Sequence, residues 1–395
     1  MDQKDVKRIK WGSFLKDVFI CSLGAYGGPE AHYGVFTDQM VTKKKYITEE
    51  ELVELIALTG ILPGPSSTQT LVAIGYKVGG PLLALLTMLV WSVPVLLLMT
   101  ALSFSGEFLE AMNLSEDVFR YVGPMAVGFI VVAAYRIGTK VVKDRFTLIL
   151  LIFGAAVTYF VRAPWIYPVV LIAGGVAAIK ASGEKSLWNH VKLNPQWVYI
   201  IAFSAFAAGS IALHIFMDNR IVNLFESFYR YGYLVIGGGQ VVVPLMYSEL
   251  VEINQYMTSK EFLTGFGLVQ GLPGPMFSFS AYAGGMAARG GSALTQITGA
   301  MVSGIAIFLP GLLLIYFVYP IWEKLKQIRG IKVSLKGITA VAGGLITVSA
   351  IILMQKNGFS VENILVTAVT ALLLMTKKIP APFIVLIVLA AGFWV

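Results

Sequence analysis

Residues 62–69 read Leu62-Pro63-Gly64-Pro65-Ser66-Ser67-Thr68-Gln69, and residues 272–279 read Leu272-Pro273-Gly274-Pro275-Met276-Phe277-Ser278-Phe279, the same tetrapeptide at an offset of 210. Self-similarity at a fixed offset marks an internal duplication, and the match widens on both sides. Upstream, Tyr46-Ile47-Thr48 with Glu51 faces Tyr256-Met257-Thr258 with Glu261. These are Thr-x-x-Glu capping boxes, which open a helix in each copy. Further upstream Gly27-Gly28-Pro29 faces Gly237-Gly238-Gly239; downstream Gly79-Gly80 faces Gly290-Gly291, each followed by a long apolar span. The repeat units are residues 13–180 and 220–395.

Composition places both units in a bilayer. Of 395 residues, 57% are hydrophobic and only 13% charged, with a mean hydropathy of +0.76. A soluble domain carries roughly a quarter of its residues charged. Nearly uncharged stretches such as 81–103, 121–135, 292–318 and 380–395 are about long enough to cross a hydrocarbon core. About nine crossings are expected, besides the broken elements. The basic amino end is not followed by a short apolar core and a cleavage site, so no signal peptide is expected. The net charge of +8 sits in loops and not on an aromatic-rich soluble module, which favours a topology signal over a nucleic-acid partner. One cysteine excludes an internal disulfide, and no Cys/His cluster offers a metal site. No cofactor is expected.

Loop charges set the relative orientation of the repeats. After the long span of the first copy come Glu107, Glu110, Glu116 and Asp117, with no base before Arg120; the counterpart carries Lys324, Lys326, Arg329 and Lys332. Lys43 to Lys45 likewise face Ile253, Asn254 and Gln255. Basic loops mark the cytoplasmic side, so the copies are expected to be inverted, with the segment 197–219 supplying the extra crossing. The expected layout is a cytoplasmic segment 1–12, the first repeat 13–180, a polar cytoplasmic linker 181–196, the linking helix 197–219 and the inverted repeat 220–395. The amino end is then cytoplasmic and the carboxyl end outside. The fold class is an all-α polytopic membrane protein with two inverted-topology repeats, whose broken or re-entrant helices meet near the midplane as in secondary transporters.

The breaks carry the chemistry. Glycine and proline free backbone groups that lipid cannot satisfy, so such segments must be buried or line an aqueous cavity. Helices starting after Pro65 and Pro275 present unpaired N–H groups, which bind anions. Ser66, Ser67, Thr68, Ser278 and Ser280 add hydroxyls; Gln69, Gln240 and Gln270 add amides. The plainer reading is a kinked helix whose Ser and Thr satisfy its own backbone, but two copies at matched positions favour a site. Two helix ends supply about one positive charge, so Lys77, Arg289 and Arg136 are candidates to complete the neutralisation of a dianion; each could instead snorkel to the interface. Glu30 and His32, beside Gly27-Gly28-Pro29, are candidates for exchanging a proton, or else face a watery vestibule.

At these residues the chain resembles the chromate ion transporter family in its two-domain form. The resemblance covers nearly the whole chain. It rests on Gly27-Gly28-Pro29 with His32, on Leu62 to Pro65 with Gln69 and Gly75-Tyr76, on Gly237 to Gln240 with Pro244, and on Leu272 to Pro275. It implies chromate transport across the plasma membrane, often as resistance by efflux, with sulfate as the related physiological anion. It also carries over Pro63, Gly64 and Pro65, Pro273, Gly274 and Pro275, and the glycine clusters Gly27-Gly28 and Gly238-Gly239 as parts of the transport path. Two departures stand out: Tyr46 and Tyr256 replace an aromatic that is often Trp, and Met276-Phe277 is less polar than Ser66-Ser67. A transporter or channel for another small anion, and a non-transporting membrane scaffold, are the competing readings. A membrane enzyme lacks support, because no Ser-His-Asp set, metal-ligand spacing or Walker loop is present. Gly174-Gly175 and Gly343-Gly344 permit close helix packing, within one chain or in a homo-oligomer.

Overall fold

The computed structural model describes residues 10–106, 108, 116–161, 163–183, 187, 193–236 and 239–394. Among these the regular secondary structure is all helical, without a strand. The first repeat comprises α1 (Trp11–Gly24), α2 (Pro29–Phe36), α3 (Glu49–Thr59), α4 (Ser66–Leu102), α5 (Val122–Val141), α6 (Arg145–Phe160) and α7 (Ile166–Ala181). After α8 (Trp197–Phe216) the second comprises α9 (Arg220–Leu234), α10 (Val243–Tyr247), α11 (Ser259–Gln270), α12 (Phe279–Ala287), α13 (Ala293–Val318), α14 (Arg329–Asn357), α15 (Val361–Thr376) and α16 (Ala381–Phe393). Among the described residues five stretches are long and apolar enough to cross a membrane: Ser66–Leu102, Asp117–Val141, Trp197–Phe216, Ala293–Leu325 and Arg329–Asn357. The shorter apolar helices α6, α7, α15 and α16 accompany them. The protein is a multi-pass membrane protein.

The duplication recurs in backbone detail. In the first copy Glu51 N–H donates to Thr48 Oγ1 at 3.2 Å and Thr48 N–H to the Glu51 carboxylate at 2.9 Å. Thr258 and Glu261 repeat this at 3.2 and 2.7 Å. Lys45 (φ +55°) and Gln255 (φ +50°) take the same left-handed turn ahead of these caps. Before that turn, α2 runs into a π-helical stretch Thr37–Lys43, and α10 into Ser248–Ile253. Such stretches are rare and concentrate at functional sites. Each holds a polar residue turned back to the first helix of its repeat: Gln39 donates to the buried Asp17 at 2.8 Å, and Glu249 accepts from Arg230 at 2.7 Å.

The glycine pairs break the long spans. Gly79 (φ −152°) and Gly80 (φ +76°) interrupt α4, and Pro81 starts its second limb, where a missing N–H costs nothing. Gly290 (φ +88°) lies between α12 and α13 at the matched place. Beneath these elements α14 packs against α5, α6 and α7. At Gly344 an added Cβ would strike the carbonyl of Leu151 and the nitrogen of Ala155, so α14 and α6 touch backbone to backbone. By contrast α8 keeps an apolar face outside the bundle, with Val198 64%, Ile201 62% and Phe216 85% exposed. Such a face is compatible with lipid, not with water.

Candidate anion site

The two Leu-Pro-Gly-Pro turns are tied across the repeats. Gly64 N–H donates to Val235 O at 2.7 Å, and Gly274 N–H donates to Ala25 O at 2.8 Å. Ala25 and Val235 occupy matched positions, each ahead of a glycine break. Each turn is therefore tied to the residue that follows the first helix of the other repeat. Gly64 (φ +128°) and Gly274 (φ +106°) sit in backbone that side chains disfavour, so the glycines are needed for the turn that aims these N–H groups.

Within the first repeat, α2 and α4 begin side by side. Gly28 (φ +101°) precedes Pro29 at the start of α2, Pro65 precedes Ser66 at the start of α4, and among the described residues no side chain caps either end. The first intrahelical bonds are His32 N–H to Gly28 O at 3.2 Å and Gln69 N–H to Pro65 O at 2.9 Å. The amides ahead of them have no intrahelical acceptor. The two first turns are joined where His32 Nδ1 lies 3.0 Å from Ser67 Oγ. His32 is 1% exposed, and its Nε2 has no partner among the described residues. Two uncapped helix starts thus converge on a buried imidazole, contributing about half a positive charge each.

Trp91, fully buried on the second limb of α4, holds this arrangement together. Its indole N–H donates to Thr68 Oγ1 at 3.1 Å. Its ring stands edge-on to His32 at 5.4 Å and to Phe36 at 5.5 Å, and its carbonyl faces the Gly274 turn. A buried Trp needs an acceptor for its N–H, and that requirement was the available sequence signal for Trp91, which the motif reading passed over. Beside it, a void between Pro65, Thr68, Gln69, Met88, Phe308 and Gly311 has room for about one water.

The second repeat differs at the matched positions. Gln240 Nε2 donates to Met276 Sδ at 3.7 Å, linking the start of the Gly239–Val242 turn to the residue after Pro275. At the positions matching His32 and Ser67 stand Val242 and Phe277, both buried. Ser278, Ser280 and Gln270 are buried nearby in sequence, with Ser278 Oγ, Ser280 Oγ and Gln270 Nε2 unpartnered among the described residues. The opposed pair expected from the two Leu-Pro-Gly-Pro copies is therefore unequal, and the polar convergence lies between α2 and α4 of one repeat.

Other expected site residues are placed elsewhere. Lys77 Nζ binds Glu51 at 2.7 Å, and Arg289 Nη2 binds Glu261 at 2.9 Å. Both bases, expected to face the anion, instead hold the capping-box glutamate of their own repeat. Arg136 donates to Leu374 O at 2.9 Å, so it caps the end of α15. Gln69 was expected to offer amide hydrogens, but its Nε2 is spent on Pro63 O at 2.9 Å and Gly311 O at 3.3 Å. Two carbonyl acceptors fix that orientation, and Gln69 Oε1 is unpartnered among the described residues. Ser66 lies on the first turn of α4, and Pro63 and Pro273 in the turns already described. Gly238 and the Glu30 side chain lie outside the described residues.

Comparison with known proteins comes out on the same division. The family model described as Chromate transporter matches residues 13–179 and again 222–394. A protein of Synechococcus elongatus named "Probable chromate transport protein" is 26% identical over 95% of this chain and 94% of its own length. The chromate transport protein of Cupriavidus metallidurans is 27% identical over 91% of this chain and 87% of its own. That of Pseudomonas aeruginosa is 26% identical over 87% and 80%. No solved structure matches.

Proposed function

Since the chain belongs to the chromate transporter family, we propose that it is a secondary carrier of chromate across the plasma membrane, by alternating access, with sulfate as a second tetrahedral dianion. It acts as a transporter and not as an enzyme. The observation that carries the reading is the convergence of the uncapped starts of α2 and α4 on His32 and Ser67. An oxyanion there accepts hydrogen bonds from both sets of leading amides and meets the positive ends of two helices. Trp91 and Thr68 fix the geometry of the donors.

Alternating access is supported by three features. The void beside Gln69 holds about one water, so an oxyanion enters only after the elements around it separate. The cross-repeat bonds at Gly64 and Gly274 give that separation a natural seam. Opposite loop charges favour inverted repeats, with the amino end cytoplasmic and the carboxyl end outside. A carrier needs a closed intermediate; a channel does not.

The test is flux of labelled chromate and sulfate in proteoliposomes of the purified protein. The expected result is saturable chromate uptake, competed by sulfate and reduced at least tenfold by Ser67→Ala combined with His32→Gln. Absence of flux of either anion through folded protein, in both directions and under an imposed potential, defeats the assignment and leaves another solute or a scaffold role. Rates rising linearly with concentration, without saturation, mean a channel.

A further inference from the structure

We propose that Ser67 and His32 form a relay that binds one proton together with each oxyanion, the proton on His32 Nδ1 turning the Ser67 hydroxyl from the imidazole to the anion. The proposal rests on the anion site described above and adds to it the stoichiometry and the atoms.

The relay follows from counting hydrogens. Ser67 Oγ and His32 Nδ1 are 3.0 Å apart, and one hydrogen lies between them. With a neutral ring, two arrangements exist. If Ser67 donates to Nδ1, the ring hydrogen is on Nε2, and this N–H is the one donor of the pair without a partner among the described residues. If Nδ1–H donates to Ser67, both the hydroxyl hydrogen and the Nε2 lone pair are left without partners in a buried site. Fewer unmet groups favour the first arrangement, so the neutral pair offers one side-chain donor to the site, Nε2–H.

A proton on Nδ1 changes this inventory. Both ring nitrogens then donate, and Nδ1–H requires Ser67 Oγ as acceptor. The hydroxyl hydrogen must rotate away from the ring. Two side-chain donors now serve the anion, one of them charged. Only the N–H bond on the ring is formed, with a proton that the buffer gives up through solvent, and the same bond breaks on release. Together with two helix starts of about half a charge each, the imidazolium brings the local charge to about +2, matching a dianion.

Most of the described charged groups around the imidazole are engaged elsewhere. On α1, Asp17 is engaged by Gln39, Tyr46 and Lys44, and Cys21 is a buried free thiol. In the π-helical stretch Asp38 pairs with Lys43 at 2.6 Å. On α4, Lys77 pairs with Glu51, and the Tyr76 ring packs against Tyr316 and Tyr319. On α2 itself stand Tyr33, whose ring packs against Phe36, and Glu30, two residues before His32. The rings against the imidazole are Trp91 and Phe36. In the second repeat Val242 and Phe277 hold no proton at the matched positions, which limits the count to one.

The test separates binding from transport. Chromate binding to the full-length protein in nanodiscs is measured by calorimetry at about pH 8, where a free imidazole is largely neutral, in two buffers of different ionisation enthalpy. Expected is uptake of about one proton per chromate, with affinity falling about tenfold per pH unit where the ring is neutral. Ser67→Ala keeps the proton and weakens binding severalfold; Glu30→Gln keeps both; His32→Gln takes up no proton and binds independently of pH. Binding without proton uptake by the wild type overturns the relay while leaving the anion site standing. Uptake retained in His32→Gln, or lost in Glu30→Gln, also overturns it. If His32→Gln binds nothing, the Glu30→Gln result decides. No chromate binding to the folded wild type defeats the anion site itself.

Discussion

Lys77 Nζ lies 2.7 Å from the carboxylate of Glu51, which at the same time closes the capping box of α3 by accepting from Thr48 N–H. Arg289 and Glu261 repeat the relation at the head of α11. One glutamate in each repeat thus joins the helix before the Leu-Pro-Gly-Pro turn to a base beyond it.

Two substitutions separate the roles of Glu51. Thr48→Ala keeps the ion pair but removes the cap, with an expected loss of about 1 kcal/mol. Glu51→Gln keeps a side chain able to close the box and removes the charge pair. With the partners 34% and 35% exposed, that loss is expected to stay under about 1 kcal/mol. Chemical denaturation of the purified protein measures both. Lys77→Gln should leave chromate affinity within about twofold, because the base is engaged away from His32; a tenfold loss would return Lys77 to the anion site.

Gly64→Ala and Gly274→Ala should each abolish transport while the protein still reaches the membrane. At φ +128° and +106° a side chain costs of order 1–3 kcal/mol. At Gly64 the new Cβ would also lie 2.6 Å from Gln69 Nε2. Relaxing either turn withdraws the N–H that ties it to the other repeat. Chromate flux normalised to folded protein in the membrane is the measurement. Full activity in both variants would mean the cross-repeat bonds at Val235 and Ala25 are dispensable.

Asp144 gives an acid-range prediction outside the spans. It caps α6 by accepting from Thr147 N–H at 2.8 Å and pairs with Lys336 at 2.7 Å. The Lys336 hydrogen bond first, then the Thr147 bonds, lower its carboxyl from 3.8 to about 2. A lowered carboxyl stabilises the fold above its unfolded range, and this contribution fades as pH falls from about 4 toward about 2. Asn caps as well as Asp, so Asp144→Asn isolates the charge. Melting temperatures of wild type and variant should differ at neutral pH and converge in acid. An unchanged difference across that range would assign the effect to something other than this carboxylate.

The elements legible in the sequence were those decided locally. Leu-Pro-Gly-Pro demands a break because Pro lacks an N–H and Gly64 must take positive φ, and Thr48 with Glu51 states its own cap. The repeat, the apolar spans and the resemblance at Gly27 to His32 needed no tertiary knowledge. What the sequence left open were partners. Lys77 and Arg289 are bases near broken helices, and nothing local says that Glu51 and Glu261, 26 and 28 residues away, take them. The bond from His32 to Ser67 spans 35 residues and joins two helix starts whose convergence depends on how α2 and α4 pack. The π-helical stretches carry no compositional mark.

The charges on α9 were also passed over, and they support the sharpest stability prediction. Arg230 donates to Glu226 at 2.7 and 3.1 Å and to Glu249 at 2.7 and 3.1 Å, and Tyr231 donates to Glu249 as well. The two carboxylates are only 9% and 5% exposed, so the guanidinium is what makes their burial tolerable. Arg230→Met leaves two buried carboxylates facing each other, and breaking such a set typically costs about 3–5 kcal/mol. Neutralising the carboxylates as well, in Arg230→Met with Glu226→Gln and Glu249→Gln, removes the repulsion and should recover most of that loss. Denaturation of the single and triple variants decides. A triple variant no more stable than the single one would mean that the cluster holds the π-helical stretch by the shape of its hydrogen bonds, and not by balancing charge.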